Sequence, residues 1–453
     1  MLKRIATMLW GKFESAQEVK KFGLLAVIFG LIIGVYWTLR PIKDGVFGSV
    51  VGGDYLNWAK ILSVVIIFPI VIIYSKLIDK YPRNKVFYGL VSLYAVFAFL
   101  FAWIFMDPHM GLLNTVANPG RIVGWMWYVW VESFGSLVPA LFWAITTDST
   151  MPESAKRGFP LIALFAQVGN FVGPYFLTAE RWEFDHSGPI VGICGILLFV
   201  VVALFWMLIK TTPEELMRGY HGDASHQETE SEPGFFEGLK LLITEKYLLG
   251  LFAIIFIFEA IVTVLDNHFK VSVIQTFDSE LLRTAYLSKY AYTTGIVSGL
   301  CVFLGINNIQ RWLGMRISLL LTPLAVGVAV LLIKFNPQAL VVSFWIMTLS
   351  KAINYALNQP SMKQLYIPTS KNARYKAQAW IEMFGGRSSK ATGAGITLIR
   401  KPLQKAYGAM PGLDMFLTIS SIVSFGLIGL WLVVVFYVAK TYTKAIKDNR
   451  VVC

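Results

Sequence analysis

Charge is scarce in this chain. Asp, Glu, Lys and Arg make up 15% of its 453 residues, where a soluble domain carries about a quarter. An ordinary soluble fold is thereby excluded. Cysteine is scarcer still: Cys194 and Cys301 lie in apolar runs, Cys453 lies in the tail, and there is no CxxC and no Cys/His cluster. Neither a disulfide framework nor a metal site is expected, and no cofactor is implied. Acidic residues are few, 27 against 40 Lys and Arg, for a net charge of +13. The surplus does not imply nucleic acid, because the basic residues occupy alternate short loops as the positive-inside rule requires. A cleavable leader is also missing from the pattern. Met1–Lys21 is basic and amphipathic, and a run of full spanning length follows with no small-residue cleavage site. Neither a signal peptide nor a chloroplast transit peptide is expected, which points to a bacterial inner membrane.

What the chain does have is apolar length. Hydrophobic residues make up 56% and aromatics 15%, and the mean hydropathy is +0.61. A bilayer core of about 30 Å needs roughly 20 mostly apolar residues. Runs that fit lie near 22–39, 56–75, 86–106, 122–146, 158–178 and 189–209, then 247–265, 286–306, 316–335, 338–358, 376–399 and 414–438. The expected fold is an all-α membrane protein of twelve transmembrane helices. It divides into a six-helix half (1–209), a cytoplasmic linker with the start of a surface helix (210–240), a second six-helix half (241–438) and a tail (439–453). The linker holds the polar run His221–Pro233 and reads as flexible. Phe235–Glu245 reads as a short amphipathic helix on the membrane surface.

Lys76, Lys80, Arg83 and Lys85 follow span 2, Lys363, Lys371, Arg374 and Lys376 follow span 10, and Lys440, Lys444, Lys447 and Arg450 crowd the tail. The loop after span 5 is acidic, with Glu180, Glu183 and Asp185 against Arg181. Both termini are therefore expected in the cytoplasm. Two six-span halves joined by a long linker is the layout of major-facilitator carriers, whose substrate sits near the midplane. The segment around Asp79 and Arg83 resembles the gating loop of those carriers, in which an acid and following bases latch the cytoplasmic ends.

Charges inside the spans carry the functional signal, since each costs roughly 2.5–3.5 kcal/mol on insertion scales. Arg40-Pro41-Ile42-Lys43-Asp44 puts a lysine and an aspartate where the first helix should still be finishing. Glu132 lies mid-span among Trp, Tyr and Val, and must pair with a cation, face water or carry a proton. Asp266 closes span 7, Glu259 lies within it, and His268 follows as an interfacial residue or a proton relay. Lys351 sits inside span 10, too far from either end to snorkel, and a lysine there suits phosphate as a compact point charge. Span 11 holds Lys376, Gln378, Glu382, Arg387 and Lys390 with Gly385-Gly386 and Gly393-Ala394-Gly395 between them. Glycines there let helices approach closely and let backbone N–H groups face an anion. The Gly386–Lys390 stretch lacks the spacing and the preceding strand of a phosphate loop. Counted together, the cations of the spans match or exceed the acids, which suits a multiply anionic substrate.

At these residues the sequence resembles the nucleotide transporters of plastids and intracellular bacteria, typified by ATP/ADP antiporters. Arg40-Pro41-Ile42-Lys43-Asp44 resembles the family's Arg-x-x-Lys-Asp signature. Glu132-Ser133-Phe134-Gly135-Ser136 with Leu141-Phe142-Trp143 is similar to its span 4 pattern, and Ala155–Leu161 with Gly169-Asn170 continues it. Asp266 keeps an acid where the family has Glu before an aromatic-Lys pair. The longest matching stretch is Ser350–Pro368. The resemblance implies a nucleotide carrier, most simply ATP/ADP exchange by alternating access, and not an enzyme; no span carries HExxH or a paired catalytic constellation. It implies a charged transport set of Lys43, Glu132, Asp266 and a span 11 basic residue. Together with the charges read within the spans, Lys43, Lys351, Lys376, Arg387 and Lys390 are expected to bind phosphate, and Asp44, Glu132, Asp266 and Glu382 to serve coupling or charge pairing. Trp143, Tyr292 and Tyr355 are candidate base-stacking aromatics. The implied partners are ATP, ADP or a related phosphorylated metabolite and the lipid bilayer, with the chain working as a monomer. Two departures stand in the second half: Gln378 replaces a family lysine and Gln359 replaces the acid of Phe-Asp-Pro. They bear on phosphate count, base preference and coupling. A proton-coupled importer of nucleotides or another organic anion is the alternative, and a non-transporting sensor a more distant one.

Overall fold

A computed structural model of the chain describes residues 13–217, 235–303, 309–366, 368–369, 381, 385–448 and 450–452. Every regular element among them is helical. The α-helices are α1 (Ala16–Phe47), α2 (Leu56–Lys80), α3 (Arg83–Phe105), α4 (Ile122–Asp148), α5 (Pro152–Phe176), α6 (Gly188–Thr211), α7 (Phe235–Thr244) and α8 (Lys246–Thr276). There follow α9 (Glu280–Phe303), α10 (Ile309–Phe335), α11 (Leu340–Ile353), α12 (Gln359–Leu365), α13 (Gly386–Thr397), α14 (Arg400–Tyr407) and α15 (Ala409–Lys447). Two π-helical turns interrupt the pattern, Gly48–Gly52 after α1 and Asn354–Asn358 between α11 and α12. The polar run 221–233 lies outside the described residues.

α1 outruns the apolar segment 22–39 at both ends. Ser15 caps it by accepting from the Glu18 N–H at 3.1 Å, and helical hydrogen bonding continues past Pro41 to Phe47. Lys43 and Asp44 therefore stand inside a helix, not at its close. Eight helical stretches among the described residues are long and apolar enough to cross a membrane, the first running unbroken over Ala16–Tyr74, and Leu340–Ile353 is apolar but shorter. α9 is outside that set, its first half carrying Glu280, Arg283 and Lys289. Much of the expected span 376–399 lies outside the described residues.

The chain forms two compact units. The first comprises the described residues of Met1–Gly53, Val65–Gln227 and Ile274–Gly295; the second those of Asp54–Val64, Glu228–Val273 and Ile296–Cys453. In the first unit α1 packs on α5 through glycines four apart on each helix. A Cβ on Gly169 would stand 2.1 Å from the Gly30 carbonyl oxygen, and one on Gly173 would stand 2.3 Å from that of Gly34. Such small-residue stripes bring backbones into contact without a polar driving force. α3 packs on α6, with the Phe87 and Phe205 rings 4.2 Å apart. α4 lies against α1 and α3, burying Trp127, Phe134 and Phe142. In the second unit α10 and α14 pack on α15, and Trp431 of α15 is fully buried against Phe258 of α8.

Candidate functional site

Among the described residues, Lys43, Asp44 and Glu132 gather in one unit and Asp266 and Lys351 in the other, while Glu18, Lys21, Glu280 and Arg400 are buried elsewhere. In the first unit Lys43 of α1 is 2% exposed and forms an ion pair with Glu132 of α4. Asp44 lies 3.7 Å from the same ammonium, and the Tyr128 ring centroid lies 4.2 Å from it. Helix geometry explains the convergence. Trp125, Tyr128 and Glu132 follow one face of α4 at i, i+3 and i+7, and Lys43 and Phe47 follow one face of α1. Phe47 packs edge-on against Trp125 at 5.2 Å and Tyr128 at 5.3 Å. Farther along, Gly135 admits the Tyr36 ring, which a Cβ would meet at 2.1 Å. The Glu132 side chain remains 34% accessible while its lysine is sealed. The pair is therefore accessible on the Glu132 side and set in aromatic packing on the Lys43 side.

In the second unit three lysines surround Asp266. Lys270 is 2.9 Å away on the next turn of α8, Lys60 of α2 is at 3.3 Å, and Lys351 of α11 is at 3.9 Å. Among the described residues, three ammonium groups converge on this one carboxylate. The neighbouring Asn267 locks α8 to α2 by donating to the Asn57 side-chain oxygen at 2.6 Å, both being buried. Directly after Lys351 the helix widens into the π turn Asn354–Asn358, where Asn358 donates to Asn354 at 2.8 Å. The other π turn follows Lys43 and Asp44 in the first unit. Widened turns of this kind occur often at functional sites.

The remaining expected residues are scattered. Tyr355 is half-buried within the π turn, four residues after Lys351. Arg387 is half-buried on α13, whereas Lys390 is exposed and joins no ion pair among the described residues. It does not belong with the buried cations, because the buried face of α13 carries Ser389 and Gly393. Gly393 meets the backbone of Ala260 and the side chain of Thr263 on α8. Trp143 stands 11 residues beyond Glu132, about 16 Å along the helix, inside an aromatic nest. Phe29 lies at 5.2 Å, Phe159 at 5.3 Å and Phe142 at 6.0 Å, all edge-on. It is a packing residue there. Tyr292 packs with Tyr175, centroids 5.3 Å apart, at a cavity lined also by Arg181 and Lys289. Arg83 pairs with Asp148 at the end of α4, while the Asp79 side chain, and Lys376, Gln378 and Glu382, lie outside the described residues. Among the described residues Glu259 has no ion pair with the Asp266 cluster, and His268 Nε2 lies 3.1 Å from the Pro337 carbonyl oxygen.

Three members of these clusters were not among the expected site residues: Lys60, Lys270 and Tyr128. Lys60 carried the same signal as Lys351, a charge inside the apolar run 56–75. Lys270 sits one helical turn after Asp266, a spacing that pairs side chains on one face. Tyr128 carried no signal that set it apart from the other aromatics of α4.

The chain is similar over most of its length to known carriers. ADP,ATP carrier protein 1 of Rickettsia prowazekii is 26% identical over 483 residues, covering 96% of this chain and 95% of that protein. ADP,ATP carrier protein 4 of Rickettsia conorii is 22% identical over 433 residues, covering 83% of this chain and 84% of that one. Among solved structures, a bacterial homologue of the iron transporter ferroportin has a TM-score of 0.64 at 13% identity, covering 94% of this chain and 100% of that one. The nucleoside transporter NupG has a TM-score of 0.56 at 13% identity, covering 93% of this chain and 99% of that one. The likeness makes the architecture an all-helical, major-facilitator-like one. The model of the family described as TLC ATP/ADP transporter matches residues 2–442, and the chain therefore belongs to that family of membrane carriers.

Proposed function

We propose that the protein exchanges ATP for ADP across the bacterial inner membrane by alternating access. Family membership supports the reaction class, and the single structural observation behind the phosphate chemistry is the three-lysine ring around Asp266. Lys60, Lys270 and Lys351 bind phosphate oxygens there, and Asp266 neutralises part of their charge when no nucleotide is bound. Lys43 and Glu132 form the coupling pair of the first unit, with Asp44 beside them. Arg387 on α13, with Lys376 and Glu382 on the segment before it, completes the charged set. Tyr355, four residues after Lys351 and on the π turn, is the preferred base-stacking aromatic. Arg83, with Asp79, belongs to the cytoplasmic gate. The chain works as a monomer of twelve spans in two six-helix halves, 1–209 and 241–438. The linker 210–240, the tail 439–453 and both termini lie in the cytoplasm.

Exchange follows if an empty site of net positive charge reorients slowly and a loaded one reorients freely. Liposomes carrying the purified protein should take up labelled ATP when preloaded with ADP and not when empty. Absence of uptake under both conditions would overturn the proposal. The one-third accessibility of Glu132 beside a sealed lysine favours a second reading, proton-coupled uptake, in which that carboxyl carries the proton. Uptake into empty liposomes that collapses with a proton uncoupler would establish it over exchange.

A further inference from the structure

A cavity of about 500 Å³ opens in the first unit, away from the Lys43–Glu132 pair. Its walls are the end of α5 with the following loop (Tyr175, Arg181) and the first half of α9 (Tyr286, Lys289, Tyr292), with Phe277 before α9. The α9 residues come together because positions 282, 285, 286, 289 and 292 share one helical face.

The start of α9 is held firmly. The Glu280 carboxylate, 8% exposed, accepts from the Ser187 hydroxyl at 2.6 Å, the Ser187 N–H at 3.2 Å and the Thr284 hydroxyl at 2.6 Å. Arg283 donates to Ser49 at 2.8 Å and to the Phe277 carbonyl at 2.7 Å. These bonds fix the cavity wall.

The lining carries two aromatic pairs and two cations. Tyr175 and Tyr292 meet edge-on at 5.3 Å, and Phe277 and Tyr286 are tilted at 5.2 Å. The Arg181 guanidinium lies 4.2 Å from the Tyr175 ring centroid, so that ring already presents its face to a flat, delocalised group. Among the described residues neither Arg181 nor Lys289 has a carboxylate within ion-pair distance, although Glu180 lines the same cavity. A volume of this size falls within the range of small-molecule sites, roughly 300–1,000 Å³. A planar base on the tyrosines with anionic oxygens on the guanidinium and ammonium matches the lining.

We infer that this cavity is a second nucleotide site, which takes a nucleoside polyphosphate from the face of the membrane bearing the acidic loop 180–185 and raises its concentration beside the translocation path. The inference rests on the nucleotide-carrier function proposed above.

Two measurements test it. In oriented liposomes, the R181Q/K289Q double variant should raise the half-saturating nucleotide concentration about tenfold from that face, as expected for loss of charge-assisted contacts. The maximal rate and the half-saturation from the opposite face should stay as in the wild type. Photolabelling of the Lys43→Ala carrier with 8-azido-ATP should modify peptides containing residues 175–181 or 277–292, and ATP should displace the label. Unchanged half-saturation from both faces together with no ATP-displaceable adduct on those peptides would overturn the inference. So would an adduct displaced by phosphatidylglycerol and not by ATP, which would assign the cavity to a lipid headgroup. A wild-type carrier that exchanges no nucleotide would overturn the proposed function, while the adduct would still decide the cavity.

Discussion

Lys43 and Glu132, 89 residues apart in sequence, form an ion pair in which the cation is sealed and the anion is one-third accessible. The asymmetry separates two contributions that a single substitution would mix. Removing one partner of a buried pair costs about 3–5 kcal/mol, and the accessibility of Glu132 brings the figure to the low end. Lys43→Ala should abolish exchange and lower the thermal unfolding temperature in detergent. Lys43→Ala with Glu132→Ala should regain part of that stability, the rest being withheld by buried Asp44, 3.7 Å from the lost ammonium, and still not transport. Exchange restored by the double substitution would show that the pair is structural.

The Asp266 ring predicts a dependence on phosphate count. Lys60→Gln or Lys270→Gln should raise the half-saturating ATP concentration about tenfold, one charge-assisted contact being worth roughly 1.5–3 kcal/mol. ADP should be affected less, having fewer phosphates to spread over the remaining cations. Competition assays with both nucleotides on each variant measure the ratio. Equal effects on ATP and ADP would count against phosphate contact by these lysines.

Trp143 and Tyr355 should behave differently. Trp143→Phe keeps an aromatic among Phe29, Phe142 and Phe159 and should leave the affinity for nucleotide near the wild-type value. Tyr355→Leu, on the π turn beside Lys351, should weaken it by about tenfold, stacking of a base on an aromatic being worth roughly 1–3 kcal/mol. Half-saturation measured on membranes with matched protein abundance decides between them.

The glycine stripe between α1 and α5 can be tested without transport. A Cβ at Gly169 would stand 2.1 Å from a backbone oxygen that cannot rotate away. Gly169→Ala should destabilise by about 1–3 kcal/mol, as overpacking does. Gly426 of α15, whose Cβ would meet nothing within 4 Å, is the control. Gly426→Ala should be neutral or slightly stabilising, because alanine loses less freedom in a helix. Thermal unfolding of the two variants in the same detergent gives the comparison.

Much of this molecule is written locally. Apolar run length announces the eight helices of spanning length among the described residues, and the cost of burying charge singles out Lys43, Glu132, Asp266 and Lys351. What was not legible depended on phase. α1 continues through Pro41, so Lys43 shares a face with Phe47, a relation that a span ending at residue 39 hides. The partners of Asp266 come from three helices, and only Lys270 has a sequence spacing that could be read from one of them. Trp143 and Lys390 carried the right chemistry at positions whose neighbours, an aromatic nest and an exposed helix face, give them other surroundings. Hydropathy alone could not resolve this, because aromatic packing and base stacking use the same residues.

The contact between α1 and α5 has a mechanical consequence. Where the two helices touch backbone to backbone, at Gly30 and Gly34 against Gly169 and Gly173, no long side chain lies between them to change rotamer and absorb a shift, so sliding there would break several contacts at once. The pair is therefore stiff in shear and behaves as a single strut. Lys43 is carried on one member of that strut and Tyr175 on the other. A displacement that tilts the lysine must swing the tyrosine too, and load applied at either residue is delivered to the other.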